Sequence, residues 1–138
     1  MNQSPSQIAQ YNRSVILSAT PARLLTMLYD RLVLDLRRAE ANQEQGQWLA
    51  ASEQIIHAQA IIAELESSLR TDEWDGAEQL LALYSYLSTA LVSANLNRDI
   101  ALTREAISLI EPLREAWQSA SEMSSSTAER TEGANGVA

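Results

Sequence analysis

The side chain with the widest choice of chemistry in this sequence is His57, because imidazole can ligate a metal, accept a phosphoryl group or relay a proton near neutral pH. Each of those roles needs companions at fixed spacing. A carboxylate-bridged di-metal site in a helical bundle asks for Glu-x-x-His on two helices, with further glutamates facing them. Here there is one histidine, and its nearest upstream glutamate, Glu53, stands four residues away instead of three. Phosphoryl transfer asks for a lysine and glycines just beyond the histidine to steady the phosphate, and "HAQAIIAEL" supplies neither. These residues predict a partly exposed helical histidine, with a phosphotransfer bundle using His57 as the alternative. Cysteine is absent, which removes disulfides, thiolate metal sites and cysteine nucleophiles. Serine and threonine are plentiful, yet no Gly-x-Ser-x-Gly elbow and no phosphate-cradling glycine loop occurs. The expectation is therefore no catalytic residue, no metal and no cofactor.

Composition narrows the partners. Of 138 residues, ten are basic, all arginine, against eighteen acidic ones, for a formal net charge of -8. Phosphate backbones need clustered cations, so nucleic acid is not expected. The N-terminal "MNQSPSQIAQYNRSVILSA" lacks the basic region and long apolar run of a secretory signal. No window approaches the ~18 uninterrupted apolar residues of a membrane span, so membrane insertion is not expected and a cytoplasmic location is. A chain this long buries roughly 68–70% of its unfolded surface as one domain.

Any such side chain must be carried by helices, since no segment of useful length alternates as a strand does. Thr20 before Pro21 starts the first helix: threonine can cap free amides, and proline suits the first helical position. Leu25, Leu28, Leu32, Leu36 and Ala39 then recur at steps of three and four, predicting a helix over 21–44 stopped by Gly46. A second helix over 47–70 carries Ile55, Ala58, Ile62, Leu65 and Leu69, with Ile56 and Ile61 widening the stripe. Asp75 is a candidate cap for a third helix over 76–96. The fourth begins near Asp99, whose carboxylate suits a helix N-terminus, and buries Leu102, Ala106, Leu109, Leu113 and Ala116 or Trp117. Pro112 falls inside this run and predicts a kink. The small polar segment from 120 to 138 is expected to be a disordered tail. The fold class is thus all-α, an antiparallel up-down four-helix bundle over 20–119, with an N-terminal arm over 1–19.

The third helix carries more apolar surface than one core stripe uses. Leu80, Leu83, Leu87, Leu91 and Ala94 form a good stripe, while Leu81, Tyr84 and Val92 spread around its side. Tyr84 and Tyr86 point about 200° apart on a helix, so only one of them can face the core. Either the helix is central and enclosed, or it exposes an apolar groove for a partner helix or strand.

The stretch "LYSYLSTALVSANLNRD" resembles the third-helix signature of FliS-type flagellin export chaperones, Leu-Tyr-x-Tyr followed by apolar residues and Ala-Asn-x-x-x-Asp. "YNRSV" with "SATPARLLTMLYDRLVLDLRRA" is similar to that family's tyrosine-bearing arm, Ser/Thr-Pro entry and first helix. "AIIAELESSL" resembles the end of its second helix, and "LIEPLREAW" its last helix. The pieces occur in the family's order over about residues 8 to 118.

The resemblance implies a non-enzymatic cytoplasmic chaperone that binds the C-terminal segment of flagellin, prevents early polymerisation and delivers it to the flagellar export gate. It implies that Ile8, Tyr11 and Val15 in the arm fold over the client groove when no client is bound. Tyr29, Ile55, Ile62, Leu65, Leu80, Leu83, Tyr84, Leu87 and Leu91 are the candidate interhelical surface, undivided between core and client. Asn95 is expected to close the third helix and Asp99 to cap the fourth. A structural helical adaptor is the remaining alternative.

Overall fold

A computed structural model describes the backbone of residues 21–69 and 75–135, and side chains as far as Met123. Four helices follow in order, α1 Pro21–Glu44, α2 Trp48–Ser68, α3 Ala77–Leu96 and α4 Ile100–Asn135. Each packs against two others, α1 and α3 both lying between α2 and α4. No strand occurs among the described residues.

The helix boundaries follow from local chemistry. Pro21 opens α1, where its missing N–H costs nothing. Thr20, its expected cap, lies outside the described residues. At the far end Gly46 takes φ +72°, and the amides of Gly46 and Gln47 reach back to the carbonyls of Gln43 (3.1 Å) and Asn42 (2.8 Å). That pair of bonds is the Schellman closure, which needs a left-handed residue and is normally built on glycine. The same closure ends α3, with Arg98 N–H donating to Asn95 O at 3.4 Å and Asp99 N–H to Ala94 O at 3.0 Å. The left-handed residue there is Arg98, at φ +51°. Asp99 Oδ1 then accepts the Ala101 amide at 3.0 Å, at the start of α4. Asp75 makes no cap: Gly76 holds the N-cap of α3, without a side-chain bond.

Neighbouring helices run antiparallel, and polar ties fix their register. Between α1 and α4, Arg37 Nη2 donates to both Glu111 oxygens at 2.5 and 2.7 Å, Arg104 spans Glu40 and Glu44 at 3.1 and 2.6 Å, and Arg114 meets Asp30 at 2.6 Å. Asn42 Nδ2 donates to Gln54 Oε1 (2.8 Å) between α1 and α2. Ser88 Oγ donates to Glu66 (3.1 Å) between α2 and α3, and the Tyr86 hydroxyl to Glu105 between α3 and α4.

The core collects Leu32, Leu36 and Ala39 from α1, Ile55, Ala58, Ile62 and Leu65 from α2, Leu80, Leu87 and Leu91 from α3, and Ala106, Ile107 and Ile110 from α4. One expectation for α4 changes. Its buried stripe is Thr103, Ala106, Ile107 and Ile110, while Leu102, Leu109 and Leu113 are only partly covered and Ala116 is exposed. The helix runs to Asn135. Between Trp117 and Glu132 no glycine or proline interrupts it, and alanine, glutamate and arginine are good helix formers. Pro112 sits exposed within the same uninterrupted helix.

Candidate functional site

Most of the side chains singled out on the third helix and its neighbours turn inward. Tyr29, Ile55, Ile62, Leu65, Leu80, Tyr84, Leu87 and Leu91 are all buried, and Leu83 is partly covered against them. The tyrosine pair divides as helical geometry demands. Tyr84 enters the core, where its hydroxyl bonds to that of Tyr29, whose ring lies 6.4 Å from Trp117, tilted by 50°. Burial pushes both phenols above the ordinary tyrosine value, because a phenolate would lose its hydration there. Tyr86 faces outward, and its hydrogen bond to Glu105 raises its pKa instead, since ionisation would set phenolate against carboxylate.

Several large apolar side chains remain outside. Leu49 and Leu96 are 78% exposed, Ile56 56% and Val92 44%. By helical period these four flank the seam between α2 and α3, Leu49 and Ile56 from one side, Val92 and Leu96 from the other. From Gln79 to Asn97 the chain carries no charged residue, so this flank of α3 is apolar or neutral throughout. At the turn end of the seam a cavity of about 380 Å³ opens, lined by Gln43, Trp48, Ser52, Ile55, Asn95 and Arg98 among others. On the opposite flank of α3, Leu80 and Leu83 with Leu113 and Trp117 of α4 enclose a second, more apolar recess of about 280 Å³. Helix α3 therefore has a depression along each side, mixed in polarity toward α2 and mainly apolar toward α4.

Of the expected surface residues, Leu80 and Leu83 line the α3–α4 recess and Ile55 lines the cavity. Ile8, Tyr11 and Val15 lie outside the described residues. Asn95 serves the end of α3 through its backbone carbonyl, and its side chain lines the cavity. Leu49 and Leu96 did not stand out in the sequence, since both fall at helix ends beyond the core stripe. The uncharged run from Gln79 to Asn97 is the signal that points to this face.

His57 is half exposed on α2 and donates from Nδ1 to Asp35 Oδ2 on α1. Asp35 is 1% exposed, and its other oxygen is held by Arg31 Nε at 3.2 Å. A buried carboxylate thus fixes the imidazole by one nitrogen as a structural tie between helices. Among the described residues no three histidine, cysteine or carboxylate side chains cluster as metal ligands would. None of the described helices is long and apolar enough to cross a membrane.

A small all-α bundle with a depression on each side of one helix that carries no charge beyond Glu78 is the class that fold and surface define. The family model for flagellar protein FliS matches residues 3–124, and the chain belongs to that family. Among its relatives, the flagellar secretion chaperone FliS of Salmonella typhimurium is 35% identical over 109 residues, covering 76% of this chain and 79% of the relative. That of Escherichia coli K12 is 34% identical over 110 residues with the same coverage. That of Bacillus subtilis is 30% identical, covering 80% and 82%. A solved structure described as a flagellar chaperone from bacteria superposes with a TM-score of 0.67 at 18% identity, over 84% of this chain and 98% of that one, which speaks for the fold.

Proposed function

We propose that this FliS-family chain acts in the cytoplasm as an export chaperone, holding the C-terminal segment of flagellin, preventing its premature polymerisation and supporting its delivery to the flagellar export gate. The observation that carries the reading is the uncharged, outward apolar flank of α3, with Val92 and Leu96 exposed beside Ile56 and Leu49 of α2. A disordered amphipathic client can lay apolar anchors into the depressions along α3 and gain helix as it does so. The Coulombic cost is small because no charge on α3 beyond Glu78 must be desolvated. Charged residues elsewhere, summing to -8, keep a protein with such a face soluble.

The same reading gives Ile8, Tyr11 and Val15 the part of a lid that competes with the client. It assigns no catalytic step to His57.

Titration calorimetry with a peptide spanning the C-terminal segment of flagellin tests the proposal. Wild-type protein binds it, and the double variant Val92→Glu with Leu96→Glu, which changes only exposed positions, keeps its helicity but loses at least about tenfold in affinity, or 1.4 kcal/mol. Unchanged affinity in the folded variant would remove the α2–α3 face from the site. Failure of the wild type to bind would remove flagellin as the client.

A further inference from the structure

The cavity at the turn end of the α2–α3 seam carries polar groups that the apolar face does not explain. Gln43, at the end of α1, is 4% exposed and lines it. Its Nε2 donates to Ala94 O at 3.3 Å, while Oε1 is buried and accepts no hydrogen bond. An orphaned buried acceptor is costly, and Gln43 carries one in the wall of this cavity.

Arg98 is the second anomaly. It occupies the left-handed position of a helix closure that glycine would fill without strain, and it makes no ion pair with a described residue. Its guanidinium carbon lies over the Trp48 ring, 5.2 Å from the centroid, a cation–π contact. A cation–π contact uses none of the guanidinium's N–H groups as hydrogen-bond donors, which leaves them for a planar anion. In a chain of net charge -8, the strained backbone and this contact hold a cation at the mouth of a recess floored by Ile55.

We propose that this cavity captures the free carboxy terminus of the client peptide. The terminal carboxylate meets the N–H edge of Arg98, the last apolar side chain enters between Trp48 and Ile55, and a backbone N–H donates to Gln43 Oε1. The volume of about 380 Å³ lies within the range of about 300–1,000 Å³ usual for small-ligand pockets. A chain end is favoured over an internal acidic side chain by position: the seam stops here against the α1–α2 turn, so a peptide lying along it runs out of groove at Arg98. The assignment rests on the reading that the client is a C-terminal segment.

The test compares a peptide of the C-terminal segment of flagellin in two forms, free acid and carboxamide, on wild-type protein and on Arg98→Gly. Glycine suits the left-handed position, so circular dichroism should show the variant folded. Wild-type protein should prefer the free acid by about three- to tenfold, the range for one charge-assisted pair near the surface, and the preference should shrink with salt. In Arg98→Gly the two forms should bind alike. Equal binding of both forms by the wild type overturns capture of the carboxylate while leaving the flagellin reading intact. A preference that survives in Arg98→Gly overturns the role of Arg98, and Arg98-dependent binding of the carboxamide alone assigns the guanidinium to an internal carboxylate. Binding of neither form overturns both readings.

Discussion

Replacing Tyr84 by phenylalanine removes one oxygen from the centre of the bundle and leaves the Tyr29 hydroxyl buried without its partner. The two residues are 1% and 0% exposed, so water cannot compensate without opening the core. Losing the bond and orphaning the remaining hydroxyl should cost about 1–3 kcal/mol, and Tyr29→Phe should cost a similar amount for the mirror reason. The nearby Trp117 indole N–H, which is buried without an acceptor, can offer a donor but never an acceptor, so it replaces only half of what is lost. In the double variant no hydroxyl is orphaned, and its total cost should fall short of the summed single costs by about 1 kcal/mol or more. Urea unfolding followed by circular dichroism measures this directly, provided the denaturant slope is unchanged across the four proteins. Strictly additive single costs would show that the hydroxyls do not interact and would refute the argument. The variants should bind client as the wild type does, since neither ring faces out.

The chain has no lysine, so above pH 9 its tyrosines dominate the titration; stability should hold below the unfolded phenol value of about 10 and fall above it by up to ~1.4 kcal/mol per pH unit for each buried phenol, a slope that phenolate absorbance and helicity will show and that Tyr84→Phe should reduce. His57→Gln retains a donor for Asp35 and should leave client affinity within a few-fold, whereas His57→Leu leaves that carboxylate oxygen unpaired and should destabilise more; equal melting temperatures for the two would dismiss the Asp35 tie. Deleting residues 1–12 should preserve or tighten binding of the flagellin segment, because a lid reduces apparent affinity by the fraction of grooves it covers; abolished binding would mean that Ile8 and Tyr11 contact the client themselves. Deleting residues 124–138 spares every described core residue and ion pair and should change stability by less than about 0.5 kcal/mol in denaturant titration.

The helix boundaries were legible because they are written in residues whose backbone chemistry is decisive. Pro21 can only begin a helix comfortably, Gly46 can readily take φ +72°, and Asp99 offers an oxygen to an amide two residues on. Arg98 was not legible: at the corresponding point of α3 the left-handed residue is one whose type gives no hint of it, and its contact with Trp48 joins positions fifty residues apart. Polarity says that residues beyond Trp117 cannot build a core, but it does not say that their backbone leaves the helix, and helix propensity there is adequate. For the surface, periodicity found the core side chains and named them as candidates, since a wide apolar stripe gives no angle at which core ends and groove begins. The adjacent pair Ile55 and Ile56 carries the missing angle: one is fully buried and its neighbour 56% exposed.

The distribution of charge explains how one bundle can be firm and adhesive together. Helix α1 is tied to α4 by Arg37, Arg104 and Arg114 and to α2 through Asp35, so one half of the molecule has its register fixed by ionic contacts. Among the described residues helix α3 makes no ion pair: the Ser88 and Tyr86 hydroxyls reach carboxylates on its neighbours, Tyr84 and the Ala94 carbonyl bond to Tyr29 and Gln43 of α1, and the rest is packing by Leu80, Leu87 and Leu91. Surface ion pairs add little stability, but a charged flank would have to be stripped of water before an apolar client could cover it. On the proposed function, an α3 without charge beyond Glu78 avoids that cost where the client would lie, and charges elsewhere keep two such faces from meeting freely in solution. Placing glutamates at Val92 and Leu96 reverses this arrangement without touching the core, so loss of client binding with intact helicity would separate the face that binds from the packing that folds.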